Sequence, residues 1–173
     1  ELTHLVILPR IRVQNANAVS SPHTWGFPAM SAFVGLMHGL ERALDRQGVE
    51  VYFNGVGVIC HDFDPQVTRD GGTQVFHLTR NPLDKDGGSA AIVEEGRAHL
   101  ELTLVFDISG SELGPDAESG AALARRIGGL ITGMRVAGGS VHPSLLRAGR
   151  GSEPYLVAVD ERGNVSVSQK PLD

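Results

Sequence analysis

An α+β domain of the ferredoxin-like or RRM-like kind, with β-hairpins inserted into it, is the fold that this sequence predicts. Three observations carry that prediction. The first is the order of patterns: strand, helix, two or three antiparallel strands, helix, glycine-containing strand, which is the split βαβ arrangement. The second is residues 31–47, where apolar side chains recur at helical spacing on one face. The third is His99 to Asp107, where apolar and other side chains alternate one by one, as in a half-covered strand.

In chain order, Leu5-Val6-Ile7-Leu8 is an unbroken apolar run bounded by Pro9, which reads as a central strand. Pro9 to Pro28 follows as amides, hydroxyls and two arginines, and no carboxylate stands between Leu2 and Leu40. Taken alone, that stretch reads equally well as an ordinary polar loop between a strand and a helix. Ser31 is placed to cap a helix running to about Gln47. Its apolar face is Phe33, Leu36, Met37, Leu40 and Leu44, and Gly48 is its stop signal. Gly35 and Gly39 each cost roughly 1 kcal/mol in helix propensity, tolerable where another backbone comes close. Val49 to Cys60 reads as a strand that loses side chains at Gly55 and Gly57, a mark of a bulge or close approach. Thr73 to Leu78 is a short strand entered through the turn Asp70-Gly71-Gly72, and a polar loop follows from Arg80 to Ser89. In the alternating strand, Leu100, Leu102, Leu104 and Phe106 face one way; His99, Glu101, Thr103 and Val105 face the other. Asp116 to Ile131 is a second helix, with Asp116 and Glu118 in the first turn where the helix dipole favours acid. Met134 to Val141 reads as a short strand around a glycine pair. Finally, Tyr155 to Val159 and Val165 to Ser168 flank a five-residue turn as a terminal hairpin. Residues 1–142 thus make the RRM-like domain and 143–173 a C-terminal hairpin segment.

The 173 residues suit one domain with an appendage, and 41% hydrophobic with 20% charged residues describes a globular chain with material for a core. No apolar run approaches the ~20 residues of a membrane span, and no secretion signal is visible at the start. The single cysteine, Cys60, excludes an intrachain disulfide framework, fits a reducing cytoplasm, and reads as a small buried apolar group. A net charge of −5 argues against a free-standing, non-specific nucleic-acid binder. Local charge is another matter, and the binding segments hold Arg10, Arg12, Arg80, Arg97 and Arg135. The expectation is a modest positive groove on an acidic body.

Three constellations have chemistry to offer. Gln14, Asn15, Asn17, Ser20, Ser21 and Thr24 present amides and hydroxyls that can pair with the exposed base edges of single-stranded RNA. Beside them Trp25 can stack on a base, worth about 1–3 kcal/mol. The alternative is that Trp25 and Phe27 staple the segment to the core. The second constellation is Arg135 with Gly138, Gly139 and Ser140, where a glycine pair lets backbone N–H groups approach a phosphate; a β-bulge is the competing explanation. The third is Arg80 with Asn81, and Arg97 beyond them, side chains suited to gripping phosphates in bidentate fashion. Arg97 has an equally good partner in Glu94 or Glu95. Seven histidines admit an enzymatic reading, with His23 or His142 as a general base. Against it, no Ser-His-Asp motif, HExxH or Cys/His ligand spacing occurs, so no metal or cofactor is expected.

The polar stretch from Pro9 to Pro28, with Ser31-Ala32-Phe33 and residues 36–44 behind it, resembles the N-terminal signature of a known family. That family comprises the second subunits of the type I-F CRISPR surveillance (Csy) complex, in the RAMP superfamily of RRM-like proteins. Further blocks fit it in order: 55–61, Leu78-Thr79-Arg80-Asn81-Pro82-Leu83, 90–100 and 134–140, so the resemblance covers about Leu5 to Val141. Nothing from Pro143 onward resembles it, and its members are considerably longer than this chain. The resemblance implies a RAMP fold and a non-catalytic subunit that holds the 5′ handle of a CRISPR RNA. It also implies pairing with the large subunit of the complex, contact with a backbone subunit, and only indirect engagement of target DNA. A RAMP endoribonuclease and a protein–protein scaffold without RNA contact are the alternatives.

Overall fold

The computed structural model describes residues 3–80, 83–89, 92–111, 113, 117–142 and 153–167, and for 78–80, 92–94 and 117 the backbone only. In chain order its elements begin with β1 (Thr3–Asn17), β2 (Val19–Ser21), β3 (Thr24–Trp25) and α1 (Met30–Asp45). Next come β4 (Tyr52–Pro65), β5 (Val67–Asp70), β6 (Thr73–Phe76), β7 (Leu78–Arg80), β8 (Ile92–Glu94) and β9 (Arg97–Ser109). The last are α2 (Ala117–Thr132), β10 (Arg135–Val136), β11 (Gly139–His142), β12 (Tyr155–Val159) and β13 (Val165–Val167). The described residues are therefore mixed α+β, built on one seven-stranded antiparallel sheet with two helices.

β1 is the spine of that sheet. One of its edges pairs with β9, which in turn pairs with β4. Its other edge is shared: residues 3–7 pair with β12, and residues 12–14 pair with β11. Pro9 does not end the strand. Register shifts between Leu8 and Ile11 and between Val13 and Ala16 carry the strand on, and the residues inside them, Arg10 and Asn15, adopt φ of 48° and 56°. A bulge is a position where a sheet tolerates a proline and a left-handed residue. So the amide-rich segment is largely strand, not loop.

The core lies between one sheet face and the helices. Phe33, Leu40 and Leu44 of α1 and Ile127 and Ile131 of α2 are almost wholly buried, as are Val6, Leu8, Leu102, Leu104, Phe106 and Ile108 on the sheet. Each such side chain contributes about 1.5–3 kcal/mol through burial. Both expected apolar faces, α1 and the even-numbered side of β9, are where the pattern put them. Among the described residues no helix is long and apolar enough to cross a membrane.

Several local expectations change. The N-cap of α1 is Ala29, with no side-chain cap, and Ser31 sits inside the first turn. α1 ends at Asp45, and Gly48 supplies the left-handed φ of 72° beyond it. Gly39 is approached by the side-chain end of Met134, whereas no atom would meet a Cβ on Gly35 within 4 Å. β4 runs on to Pro65, with register shifts after Phe53 and Cys60. Cys60, in register with Leu102 on this outer strand just before the second irregularity, is exposed to solvent, so it is not the buried group expected. Its partial burial, with the Asp62 carboxylate nearby, pushes the thiol pKa up. Residues 134–141 are not a single strand. Ala137 and Gly138, at φ of 48° and 77°, make the tight reversal of a β10–β11 hairpin. β12 and β13 form the terminal hairpin and extend the main sheet from β1. Asp116 lies outside the described residues.

Candidate nucleic-acid interface

The end of β1, the β10–β11 hairpin, the start of β9 and the N-terminus of α1 meet around one open groove of about 890 Å³. Its walls include Asn17 and Ser20 from the amide-rich segment, Gly96 and Arg97 at the entry to β9, Arg135 and Gly138 from the hairpin, and Ser31 and Gly35 from α1. The two sequence segments singled out for binding thus converge. Their junction is a main-chain bond: the Asn17 N–H donates to the Ala137 carbonyl at 2.8 Å.

Each predicted residue has a definite place. Asn17 uses its Oδ1 to accept the Val19 N–H at 3.0 Å, so the amide nitrogen is the end that it presents as a donor. The Ser20 hydroxyl stands 3.4 Å from the Thr24 carbonyl, and Ser21 is exposed at the β2–β3 reversal. Arg135 donates from Nη1 to the Gly138 carbonyl at 3.1 Å, holding the guanidinium over the hairpin tip. Arg97 reaches the groove but is committed to Glu95, with its Nε 3.0 Å from the carboxylate and Nη2 also in contact. Its Nη1 points to the Asn15 carbonyl at 3.5 Å, and the Asn15 N–H donates to His99 Nδ1 at 3.2 Å. Glu95 therefore places a carboxylate in a groove otherwise supplied with arginines, and among the described residues Arg135 meets no carboxylate within ion-pair distance.

Other predicted residues stand along the sheet and not in the groove lining. Arg10 pairs with Glu101 at 2.6 Å, and its N–H donates to Thr103 Oγ1 at 3.2 Å. Arg12 lies opposite Glu101 and His142, and Gln14 opposite Ser140, on the sheet face away from the helices. Ser140 in turn lies opposite Arg135, so this row leads to the groove's rim. Trp25 is 54% exposed and meets Phe76 edge to face at 5.5 Å, so its support is the β5–β6 hairpin. Phe27, stacked on Phe33 at 5.8 Å, is the residue that staples the segment to the core. Arg80 closes β7 by its backbone, and Asn81 lies outside the described residues.

The glycine pair divides its duties. Gly138 allows the reversal. A Cβ on Gly139 would fall 2.6 Å from Val13 Cγ1, 2.7 Å from the Gln14 carbonyl oxygen and 2.8 Å from the Ala16 nitrogen. The close approach that the sequence signalled is thus made first by β1 itself. Sequence reasoning missed the α1 entrance: Ala29, Ser31 and Gly35 line the groove, and no acid stands in the helix's first turn. An uncapped, acid-free helix start favours anions. Its only sequence signal was the absence of Asp and Glu around Pro28. The groove lining contains no histidine, and among the described residues no group of three or more His, Cys, Asp or Glu is placed to hold a metal.

Comparison with known proteins gives two findings. The family model described as CRISPR-associated protein (Cas_Csy2) matches residues 6–170, and so runs well past the point where the sequence blocks end. The chain is 48% identical over 143 residues to a protein of Pseudomonas aeruginosa (strain UCBPP-PA14) named CRISPR-associated protein Csy2. That match takes in 80% of this chain but 42% of the relative. This chain belongs to the Csy2 family of CRISPR-associated proteins.

Proposed function

We propose that the chain supplies the RNA-holding part of a non-catalytic subunit in a type I-F CRISPR RNA-guided surveillance complex, and that the groove takes the short 5′ handle of the CRISPR RNA. The observation that carries this reading is the convergence of the amide-rich ribbon and the glycine hairpin on one polar groove. Membership of the Csy2 family supports it. The sheet order β4-β9-β1, with β11 and β12 on the far edge of β1, supports a RAMP-type, ferredoxin-like fold. Asn17 and peptide groups read the handle, while Arg135, and Arg97 when released from Glu95, supply affinity and salt dependence. The large subunit and a backbone subunit complete the complex in the cytoplasm, and target DNA meets the guide and not this groove.

The test is a filter-binding titration of handle RNA against scrambled RNA, with and without the large subunit. Preference for the handle, weakened by Asn17→Ala, Gln14→Ala and Arg135→Ala, is expected. Removing one phosphate contact lowers the slope of log K against log salt by about 0.7 for a single strand. Equal binding of both RNAs, or indifference to all three substitutions, refutes the assignment. Metal-free cleavage abolished by His23→Ala or His142→Ala would instead make the protein an endoribonuclease. Partner binding without RNA binding would make it a scaffold.

A further inference from the structure

The two faces of the sheet are unequal. One is sealed by α1 and α2, and its side chains are buried. The other has no helix or sheet laid over it among the described residues, yet its middle is apolar. Ile7 and Val105 pair directly across the two central strands, β1 and β9, and both stay half-buried. Ile59 on β4 is 51% exposed, and Val165 and Val167 on β13 are 61% and 49% exposed. Cross-strand register joins these positions into one surface: Val157 links Leu5 to Val167, and Gly57 lies flat beside Val105. None of these residues belongs to the helix-side core. Charged groups stand beyond the apolar centre, with the Arg10–Glu101 pair toward the groove and Asp107 at the opposite end. An apolar centre with a polar rim is the composition of a surface meant to be covered.

The Pseudomonas relative indicates the occupant, because 58% of its length lies outside the stretch that matches this chain, which accounts for 42%. We infer that the open face is an intramolecular interface of the family, covered in longer members by an apolar layer from the polypeptide outside the matched stretch. A second copy of this chain fits less well, since it would bring together two bodies each of net charge −5.

Hydroxyl-radical footprinting tests this on the 173-residue chain and on the full-length Pseudomonas protein side by side. In the chain, Ile7, Ile59 and Val105 are labelled. At the aligned positions of the longer protein labelling falls at least fivefold, while the position aligned with Val34, exposed on α1, is unchanged. A parallel arm uses Ile59→Lys, which shifts the melting temperature of this chain by under 2 °C and that of the longer protein, at the aligned position, by more than 5 °C. Equal labelling in the two proteins overturns the inference. So does concentration-dependent dimerisation of the chain that Ile59→Lys abolishes, because the occupant is then a second copy. Handle binding, which uses the groove, is measured separately and does not bear on either outcome.

Discussion

Replacing Gly139 by alanine tests the fit on which the groove depends. The new Cβ would lie 2.6–2.8 Å from Val13 Cγ1, the Gln14 oxygen and the Ala16 nitrogen, where ordinary contact begins at 3.4 Å. The deficit is thus about 0.6–0.8 Å at each contact. Two of the three atoms are main chain of β1, a strand held on its other edge by β9, so no rotamer change relieves the clash. β11 must move outward, which strains the Gln14–Ser140 pairing and the Asn17–Ala137 bond that joins ribbon to hairpin. Overpacking of this kind costs about 1–3 kcal/mol, and a rigid backbone neighbour places Gly139→Ala toward the upper end. At about 2–4 °C per kcal/mol for a chain of this size, the melting temperature should fall by roughly 5–10 °C. Circular dichroism melts measure that fall, and hydrogen exchange at Val141 should quicken with it. A change within about 1 °C, with Val141 still protected, would refute the close-approach argument, since a clash of this depth costs about 1 kcal/mol at least.

Three further outcomes follow from the same geometry. Neighbouring glycines of α2 should respond with opposite sign: a Cβ on Gly128 runs into the Pro154 ring, whereas Gly129 faces open space. Gly128→Ala should destabilise by about 1–3 kcal/mol and Gly129→Ala stabilise by up to about 1 kcal/mol, both read from denaturant midpoints. Glu95→Gln removes the carboxylate that holds Arg97. Filter binding should then show tighter handle RNA with a salt slope steeper by about 0.7, and little change in melting temperature, because a pair still about one-third exposed contributes only about 1 kcal/mol. At the terminal hairpin, the Asn164 amide and the surrounding backbone N–H groups hold the Asp160 carboxyl below its usual range. A folded pKa below the unfolded one means that the stabilisation is complete above about pH 4 and fades as pH falls through the folded value. Asp160→Asn should therefore flatten the acid limb of the stability curve; an unchanged limb would show that the turn is not coupled to folding.

Elements whose burial repeats with a local period can be read straight from the amino-acid order. The face of α1 and the alternation of β9 were legible because every third or fourth, or every second, side chain meets the same core. The turn at Gly71-Gly72 and the stop at Gly48 were legible because left-handed backbone needs glycine. Tertiary structure alone decided the rest. Whether β1 stops at Pro9 depends on bulges that exist only when β9 is alongside, and whether Cys60 is buried depends on which strand ends up outermost. Likewise, Arg97 belongs to Glu95 and Gly139 to the backbone of β1 through distances that no spacing along the chain encodes. Periodicity records what a segment does to its own neighbours; pairing, register and charge partnership are set by segments arriving from elsewhere.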